Sequence, residues 1–280
     1  MDSENLLHFQ VQLKRHYPHV YDMAKLLSED YSLALENIKE KQGYLEVEAT
    51  FGKISYDAKG AERFNHAIPI DVMREIVNIL GAFSGWSSIS DWFLVYDYDI
   101  GSRKRVRVSY ENQAQQISCI QKKLLFRRDV GYREADDGSH EWKLRDFITR
   151  INTKFEEKCE YPQDALLAFL GVRVSLRKYF IIPSNNLPGI SWRMEVIQTW
   201  SGTSLAAVEE NMVTQPPICS FECEIINLPQ MNTLNSIEKM LLFSSLMLKM
   251  QDLLDIPACA TEVVQTGTLT PTAIPTFRLI

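Results

Sequence analysis

The sequence predicts an α+β fold in which a closed β-barrel carries helices on its outside. Most predicted strands alternate apolar residues with charged or hydroxyl residues, so each strand has one apolar face and one polar face. Amphipathic helices are predicted before, between and after the strands, and each needs an apolar surface to cover. A barrel with polar faces inward and apolar faces outward, under the helices, satisfies both patterns.

A two-sheet sandwich is the alternative arrangement of the same strands. In a sandwich the polar faces look toward water and the apolar faces pack on each other. That packing leaves little apolar surface for helices to cover. The helices predicted along the chain therefore favour the barrel.

The predicted elements follow the hydrophobic periodicity. Residues 6–39 are helical with a break at Pro18, and Pro69 opens a helix that ends near Leu80. Strands are predicted over residues 44–54, 92–98, 104–110, 117–128, 172–182, 191–200 and 218–226. Further helices are predicted over residues 144–155, 164–169, 205–212 and 235–254.

One domain over residues 1–280 is the simplest organisation. It comprises a helical segment (1–42), the barrel with inserted helices (44–228), a C-terminal helix (233–256) and an extended tail (261–280).

Composition limits the possible functions. The formal net charge of −6 argues against a protein that binds long nucleic acids through their phosphates, so any phosphate site must be local. The five cysteines form no CxxC pair, which indicates reduced thiols and gives a zinc site little support. No signal peptide or membrane-spanning run is present in the sequence, so we expect an intracellular protein without a membrane partner.

Two predicted strands each carry a pair of glutamates on one face. Glu46 and Glu48 alternate with apolar residues in the first strand, and Glu222 and Glu224 do so in the last. Taken singly, either pair is typical of a strand with a wet face. Facing one another inside a barrel, four carboxylates would repel strongly unless a divalent cation such as Mg²⁺ or Mn²⁺ lay between them.

Basic residues occupy the polar faces of other strands. Positions of this kind are Arg103, Arg105, Arg107, Lys123, Arg127, Arg173, Arg177 and Arg193. Arginine and lysine in an enclosed space suit phosphate oxygens. Acidic pairs for a metal and a basic lining for phosphates together indicate metal-assisted hydrolysis of a phosphoanhydride.

The order of these motifs resembles that of the triphosphate tunnel metalloenzymes. Within that superfamily, the chain is most similar to the metal-dependent RNA 5′-triphosphatases of fungi and large DNA viruses, which begin mRNA capping. The segments that carry the resemblance are YLEVEATFG (44–52), VRVSLRKYF (172–180), WRMEVIQTW (192–200) and SFECEI (220–225). The resemblance implies a closed antiparallel eight-stranded β-barrel, the triphosphate tunnel, with helices packed outside.

The resemblance also implies roles for individual residues. Glu46, Glu48, Glu222 and Glu224 match metal-binding positions, and Glu224 would also orient or deprotonate the attacking water. Glu195 matches the acidic partner in the R-x-[D/E] strand and, with Arg193 and Glu224, completes the predicted catalytic set. Substrate-binding positions are matched by Arg107, Lys123, Arg127, Arg173 and Arg193.

Two departures leave a weakened or regulatory version open. Relatives often carry a third acidic residue in the last motif, where this chain has Ile226. Ile197 stands where a threonine is common, and Thr199 follows it. The triplet 103–105 lies beside a Gly101-Ser102 turn and is interpreted as a solvated charge run, with contact to RNA outside the tunnel as the alternative.

The predicted function is that of a divalent-metal-dependent RNA 5′-triphosphatase, which removes the γ-phosphate of nascent RNA in the first step of mRNA capping. Mg²⁺ or Mn²⁺ is the expected cofactor, and triphosphate-ended RNA and other capping-enzyme subunits are the expected partners. Two alternatives stay open: hydrolysis of inorganic or nucleoside triphosphates, and a non-catalytic subunit that binds RNA ends in a capping complex. The expected location is the nucleus or a cytoplasmic viral factory.

Overall fold

A computed structural model of the chain describes residues 3–39, 42–112, 114–131, 147–160, 169–185, 187–226 and 228–266. The helices in this part of the chain are α1 (Ser3–His16), α2 (Pro18–Ile38), α3 (Ile70–Ala82), α4 (Leu205–Thr214) and α5 (Ser236–Thr266). The strands are β1 (Tyr44–Tyr56), β2 (Glu62–Asn65), β3 (Ser88–Ile89), β4 (Phe93–Asp99), β5 (Lys104–Glu111), β6 (Ala114–Val130), β7 (Ile148–Lys158), β8 (Gly171–Pro183), β9 (Ser191–Gly202) and β10 (Ile218–Ile226).

Eight of these strands form a closed antiparallel barrel. Their order around the barrel is β1-β7-β6-β5-β4-β8-β9-β10, and β10 pairs with β1 to complete the circle. The short strands β2 and β3 pair with β1 and β8 outside this circle. The predicted fold class, a closed antiparallel eight-stranded barrel with helices outside, is confirmed.

The main hydrophobic core lies outside the barrel, between its wall and the helices. On β1, Leu45, Val47, Ala49 and Phe51 are buried and pack in one cluster with residues of α2, α3 and α5. The polar residues between them face the opposite way, into the barrel. The strand alternation therefore positions the charged side chains in an enclosed tunnel, as the sequence predicted.

Helix α5 is more deeply buried than its predicted amphipathic pattern indicated. Every side chain from residue 240 to residue 250 is buried, including Ser244, Ser245 and Lys249. The helix packs between the barrel wall and the other helices, since it contacts α1, α2, α3, β1 and β10.

Among the described residues, no helix has both the length and the apolar character that crossing a membrane requires.

The prediction of a helix over residues 144–155 is wrong for residues 148–155, which belong to β7. Residues 144–146 lie outside the described residues. In β7, Thr149, Ile151, Thr153 and Phe155 are buried on the outer face, and the residues between them line the tunnel. Both faces are buried and both contain polar atoms, so the apolar alternation that marks the other strands is weak here. This segment supplies the eighth strand of the barrel.

A β-bulge in β6 overturns the prediction that Lys123 and Arg127 share a face. The register with β7 shifts between Leu124 and Phe126, which reverses the alternation. Before the bulge, Lys123 lies opposite Phe155 on the outer face; after it, Arg127 lies opposite Asn152 on the inner face.

Two other predicted segments lie partly outside the described residues. The predicted helix over residues 164–169 falls outside the described residues except for its last position. Helix α5 continues to Thr266, past the predicted start of the extended tail at residue 261. The prolines that predicted this tail, Pro271 and Pro275, come later, and residues 267–280 lie outside the described residues.

Candidate active site

Two glutamate pairs lie side by side on neighbouring strands and form what we call the acidic wall, Glu46, Glu48, Glu222 and Glu224. In the register of β1 and β10, Glu48 is opposite Glu224 and Thr50 is opposite Glu222. Glu46 and Glu48 are buried, and Glu222 and Glu224 are half-buried. The prediction that the two pairs face one enclosed space is confirmed.

Two lysines bind the acidic wall from β6 and β7. The Lys122 ammonium contacts Glu46 and lies 2.8 Å from Glu156 Oε2. The Lys154 ammonium contacts Glu48 and lies 4.0 Å from Glu46 Oε2. These lysines provide the positive charge that the clustered carboxylates require in the resting structure.

The pKa values of the glutamates reflect this crowding. Burial alone would raise the pKa of Glu46, but Lys122 and Lys154 outweigh it and lower the pKa below its ordinary value. Burial, followed by repulsion from Glu222, raises the pKa of Glu48. Burial raises the pKa of Glu224 to about 7, against the opposing effect of Arg193. Burial therefore disfavours the charged forms of Glu48 and Glu224, and added positive charge beside them would stabilise those forms.

The opposite side of the tunnel is a basic wall, which we define as Arg105, Arg107, Arg173 and Arg177 on β5 and β8. Its centre is the buried carboxylate of Asp97 on β4. Arg107 binds both oxygens of Asp97, with Nε–Oδ1 and Nη2–Oδ2 distances of 2.8 and 2.9 Å. Arg105 and Arg177 approach Asp97 Oδ2 at 3.7 and 3.9 Å. Burial would raise the pKa of Asp97, but Arg107 and its neighbours hold it well below its ordinary value.

Arg193 on β9 joins the two walls. Its Nη2 donates to Glu224 Oε2 at 2.6 Å and lies 4.0 Å from Glu195 Oε2. Glu195 in turn accepts a hydrogen bond of 3.1 Å from Arg177 Nη1. Burial would lower the pKa of Arg193, but Glu224 and Glu195 raise it overall, so the guanidinium stays charged.

A cavity of about 790 Å³ connects the tunnel to the surface. It is lined by Arg103, Lys104, Arg105, Lys122, Lys154 and Arg173, with Asp97 and Asp99 as the carboxylates. Exposed Arg103 and the half-buried lysines that contact Glu46 and Glu48 therefore border the same space, although none of the four glutamates lines it. The cavity is predominantly positive and suits a polyanion.

The donor set of the acidic wall fits a hard divalent cation. Its ligands are all carboxylate oxygens, and Glu46 Oε2 is buried without a hydrogen-bond partner among the described residues. Within the same residues, no three His, Cys, Asp or Glu side chains are gathered closely enough to hold a metal ion. Instead, Lys122 and Lys154 contact the carboxylates, so a cation would bind in place of ammonium groups.

The other predicted site residues lie at different depths. Arg107, Arg193 and Glu195 are in the tunnel network. Arg173 lines the cavity and is exposed, and Arg127 is on the inner face but exposed. The prediction that Lys123 faces the tunnel is wrong, because its side chain is exposed on the outer face. Its neighbour Lys122 faces inward instead, since both lysines precede the bulge and Lys122 lies opposite Glu156.

Several tunnel residues were missed or misinterpreted from the sequence. Lys154 and Asn152 were assigned to a helix, although Asn152 Nδ2 donates to Glu48 Oε1 at 3.3 Å. Arg105 was interpreted as part of a solvated charge run, but it lies beside Asp97 in the tunnel. Its alternation with Arg107 was the signal that could have placed it. Tyr44, which donates to Glu156, carried no such signal.

Comparison with known proteins identifies similar solved structures but no relative by sequence. No protein-family model matches the chain, and no curated protein matches it. The structure of S. pombe Pct1 RNA triphosphatase is 15% identical, covers 84% of this chain and 92% of its own, and has a TM-score of 0.56. The same protein in complex with the Spt5 CTD is 14% identical, covers 79% and 89%, and has a TM-score of 0.50.

A third match, the Mimivirus capping enzyme triphosphatase, is 14% identical, covers 77% of this chain and 97% of its own, and has a TM-score of 0.40. At that score the match adds nothing to the likeness with the S. pombe protein, and at these identities the likeness concerns the fold. The chain therefore shares the closed-barrel fold of an RNA triphosphatase.

Proposed function

We propose that the chain is a divalent-metal-dependent RNA 5′-triphosphatase that removes the γ-phosphate of nascent RNA as the first step of mRNA capping. The observation that carries this proposal is the acidic wall on β1 and β10, which lies across the closed barrel from the arginines that surround Asp97. Carboxylates suit the metal and guanidinium groups suit the phosphates. The shared fold with an RNA triphosphatase supports the proposal.

In this reaction a water oxygen attacks the γ-phosphorus, and the bond to the β-phosphate oxygen breaks. Glu46, Glu48, Glu222 and Glu224 would hold Mg²⁺ or Mn²⁺. The metal, when bound, would offset the negative charge of the phosphate oxygens and promote attack by water. Arg107, Arg177 and Arg193 would bind the triphosphate, because they already lie in the tunnel as charged groups.

Glu224 and Arg193 have complementary positions in this scheme. Glu224 would act as general base and accept a proton from the attacking water; in the metal-free chain burial raises its pKa to about 7. Arg193, 2.6 Å away, orients that carboxylate and is charged throughout. Glu195 holds Arg177 and Arg193 in place from the other side.

The proposed partners follow from the same chemistry. Triphosphate-ended RNA is the substrate, and other capping-enzyme subunits carry out the later steps. The complex of the S. pombe RNA triphosphatase with the Spt5 CTD supports a protein that works within a larger assembly.

The test is phosphate release from triphosphate-ended RNA, ATP and inorganic tripolyphosphate, with Mg²⁺, Mn²⁺ or a chelator. We expect release from the RNA that needs either cation and stops with the chelator. Release that continues unchanged in the chelator would contradict the metal dependence. Release from ATP or tripolyphosphate but not from RNA would assign the site to small triphosphates instead.

A further inference from the structure

The hairpin turn between β4 and β5 has an unusual sequence for its shape. Lys104 N donates to Gly101 O at 2.9 Å, which closes a four-residue turn over residues 101–104. Its two central residues, Ser102 and Arg103, have φ angles of 53° and 62°. Positive φ at both central positions is the mark of a type I′ turn, where Asn-Gly is strongly preferred.

Arg103 therefore stands where glycine would fold more easily. A long side chain at positive φ is strained, and such strain, where it persists, is a reason to look for a function. The turn positions Arg103 at the surface end of the cavity that leads to Lys122 and Lys154. Its side chain is exposed and borders that cavity.

Arg103 differs from the arginines deeper in the tunnel in having no acidic partner there. Arg105, Arg107 and Arg177 all approach Asp97. For Arg103, no carboxylate of the described residues lies within 4.0 Å, the limit of an ion pair. Its guanidinium can thus bind an anion without first giving up a carboxylate.

The position of Arg103 matters for what kind of triphosphate the site selects. ATP continues beyond its triphosphate only as an uncharged nucleoside, and tripolyphosphate does not continue at all. RNA continues with a negative phosphodiester for each further nucleotide, and a strand that extends through the cavity would carry these past Arg103 at its surface end. A cation at that opening meets RNA phosphates that the small triphosphates lack.

We propose that Arg103 contacts the phosphodiester backbone of RNA just beyond its triphosphate end, and so makes the site favour RNA over free triphosphates. This inference rests on the proposed function, since it specifies the substrate of the same tunnel. The contact determines specificity and takes no part in bond breaking.

The test replaces Arg103 and compares RNA with ATP. Arg103→Gly removes the cation and suits the positive φ, so loss of folding is not expected. We expect the KM for a short triphosphate-ended RNA to rise about fivefold while kcat holds, and the KM for ATP to change much less. The slope of log affinity for RNA against log salt should fall by about 1.

Two further variants control for the turn itself. Ser102→Gly relaxes the neighbouring strained residue and keeps the charge, so it should retain the parent preference for RNA. Arg103→Lys keeps a cation and should retain most of it. Equal changes in KM for RNA and ATP in Arg103→Gly would overturn the proposal, as would the same loss in Ser102→Gly.

The failure of this inference is distinguishable from failure of the proposed function. If the parent releases no phosphate from any substrate, the function is wrong, and direct binding still tests Arg103. Fluorescence anisotropy of a 3′-labelled triphosphate RNA should then show weaker, less salt-sensitive binding to Arg103→Gly. Equal binding to the parent and Arg103→Gly would overturn the inference whatever the activity.

Discussion

The acidic wall and the basic wall face the same tunnel, yet they hold their charges in place by different means. The basic wall is centred on Asp97, whose two oxygens are both fixed by Arg107 at 2.8 and 2.9 Å. The acidic wall has no such centre. Its carboxylates stand next to one another, and they have separate cations: Lys122 on β6 contacts Glu46, Lys154 on β7 contacts Glu48, and Arg193 binds Glu224.

This difference indicates which wall is ready to exchange its counter-ions. A bidentate arginine–carboxylate pair is geometrically fixed, whereas a lysine ammonium is a point charge on a flexible stem. The acidic wall can therefore exchange lysine for a divalent cation, while the basic wall keeps its shape for phosphates. Arg193 bridges the two walls, because it contacts Glu224 of the acidic wall and lies near Glu195. Glu195 in turn binds Arg177 of the basic wall.

The largest effect should come from removing a carboxylate of the acidic wall. Glu46→Ala deletes a proposed metal ligand, and we expect phosphate release from triphosphate-ended RNA to fall about 10³-fold or more. Glu157→Ala is the matched control, since Glu157 is an exposed residue of β7 on the opposite face. Parent-like turnover in a folded Glu46→Ala protein would show that the wall holds no catalytic metal.

A smaller loss is expected when the bridge between the walls is removed. Arg193→Ala should lower kcat/KM about 10²-fold, because a half-buried cation near the proposed phosphate site is lost and Glu224 loses its partner. Arg127→Ala, on the inner face but exposed, should lower it less than tenfold. Steady-state kinetics on both variants measures the difference, and a larger loss for Arg127 would reverse the assignment.

The sequence allowed the acidic wall to be predicted because β1 and β10 alternate without interruption. Glu46 and Glu48, like Glu222 and Glu224, stand between residues that are plainly apolar. The antiparallel pairing of β1 with β10 then brings them together, which was implied by the family resemblance and not by either strand alone.

The counter-ions of the acidic wall could not be predicted in the same way. Lys154 lies in β7, where Thr149 and Thr153 on the outer face and Asn152 on the inner face obscure the alternation. Lys122 and Lys123 are adjacent, and only the bulge at residues 124–126 and the pairing with β7 decide which of them faces inward. Register and bulges depend on contacts between strands, which a single sequence does not display.

Lys249 provides a contrast with the tunnel, because it is buried on the apolar side of the barrel wall. Its ammonium donates to Ser245 Oγ at 2.9 Å and lies 4.1 Å from the centroid of the Trp192 ring. Burial lowers its pKa to about 8. The unfolded chain, with an ordinary lysine pKa of about 10.4, thus binds more protons between pH 8 and 10.

Stability should consequently rise with pH across that window in the parent, and Lys249→Met should remove that rise. At pH 7 the charged lysine destabilises the native core, so the variant should be more stable there by about 1–3 kcal/mol. Denaturant unfolding at several pH values measures this, with Lys25→Met on exposed α2 surface as the control. A variant that is less stable than the parent at pH 7 would show that the Trp192 and Ser245 contacts outweigh burial.

The smallest expected effect concerns the lysine that competes with the cation. In the resting structure Lys122 binds both Glu46 and Glu156, so a metal must displace it from Glu46. Lys122→Met should therefore bind Mn²⁺ about fivefold more tightly, the equivalent of roughly one partly buried ion pair. Calorimetric titration with Mn²⁺ measures this without reference to activity.

Lys123→Met on the outer face is the matched control and should bind as the parent does. Weaker binding to Lys122→Met would mean that Lys122 positions Glu46 for the cation and does not compete with it, and the contrast between an exchangeable acidic wall and a fixed basic wall would not hold.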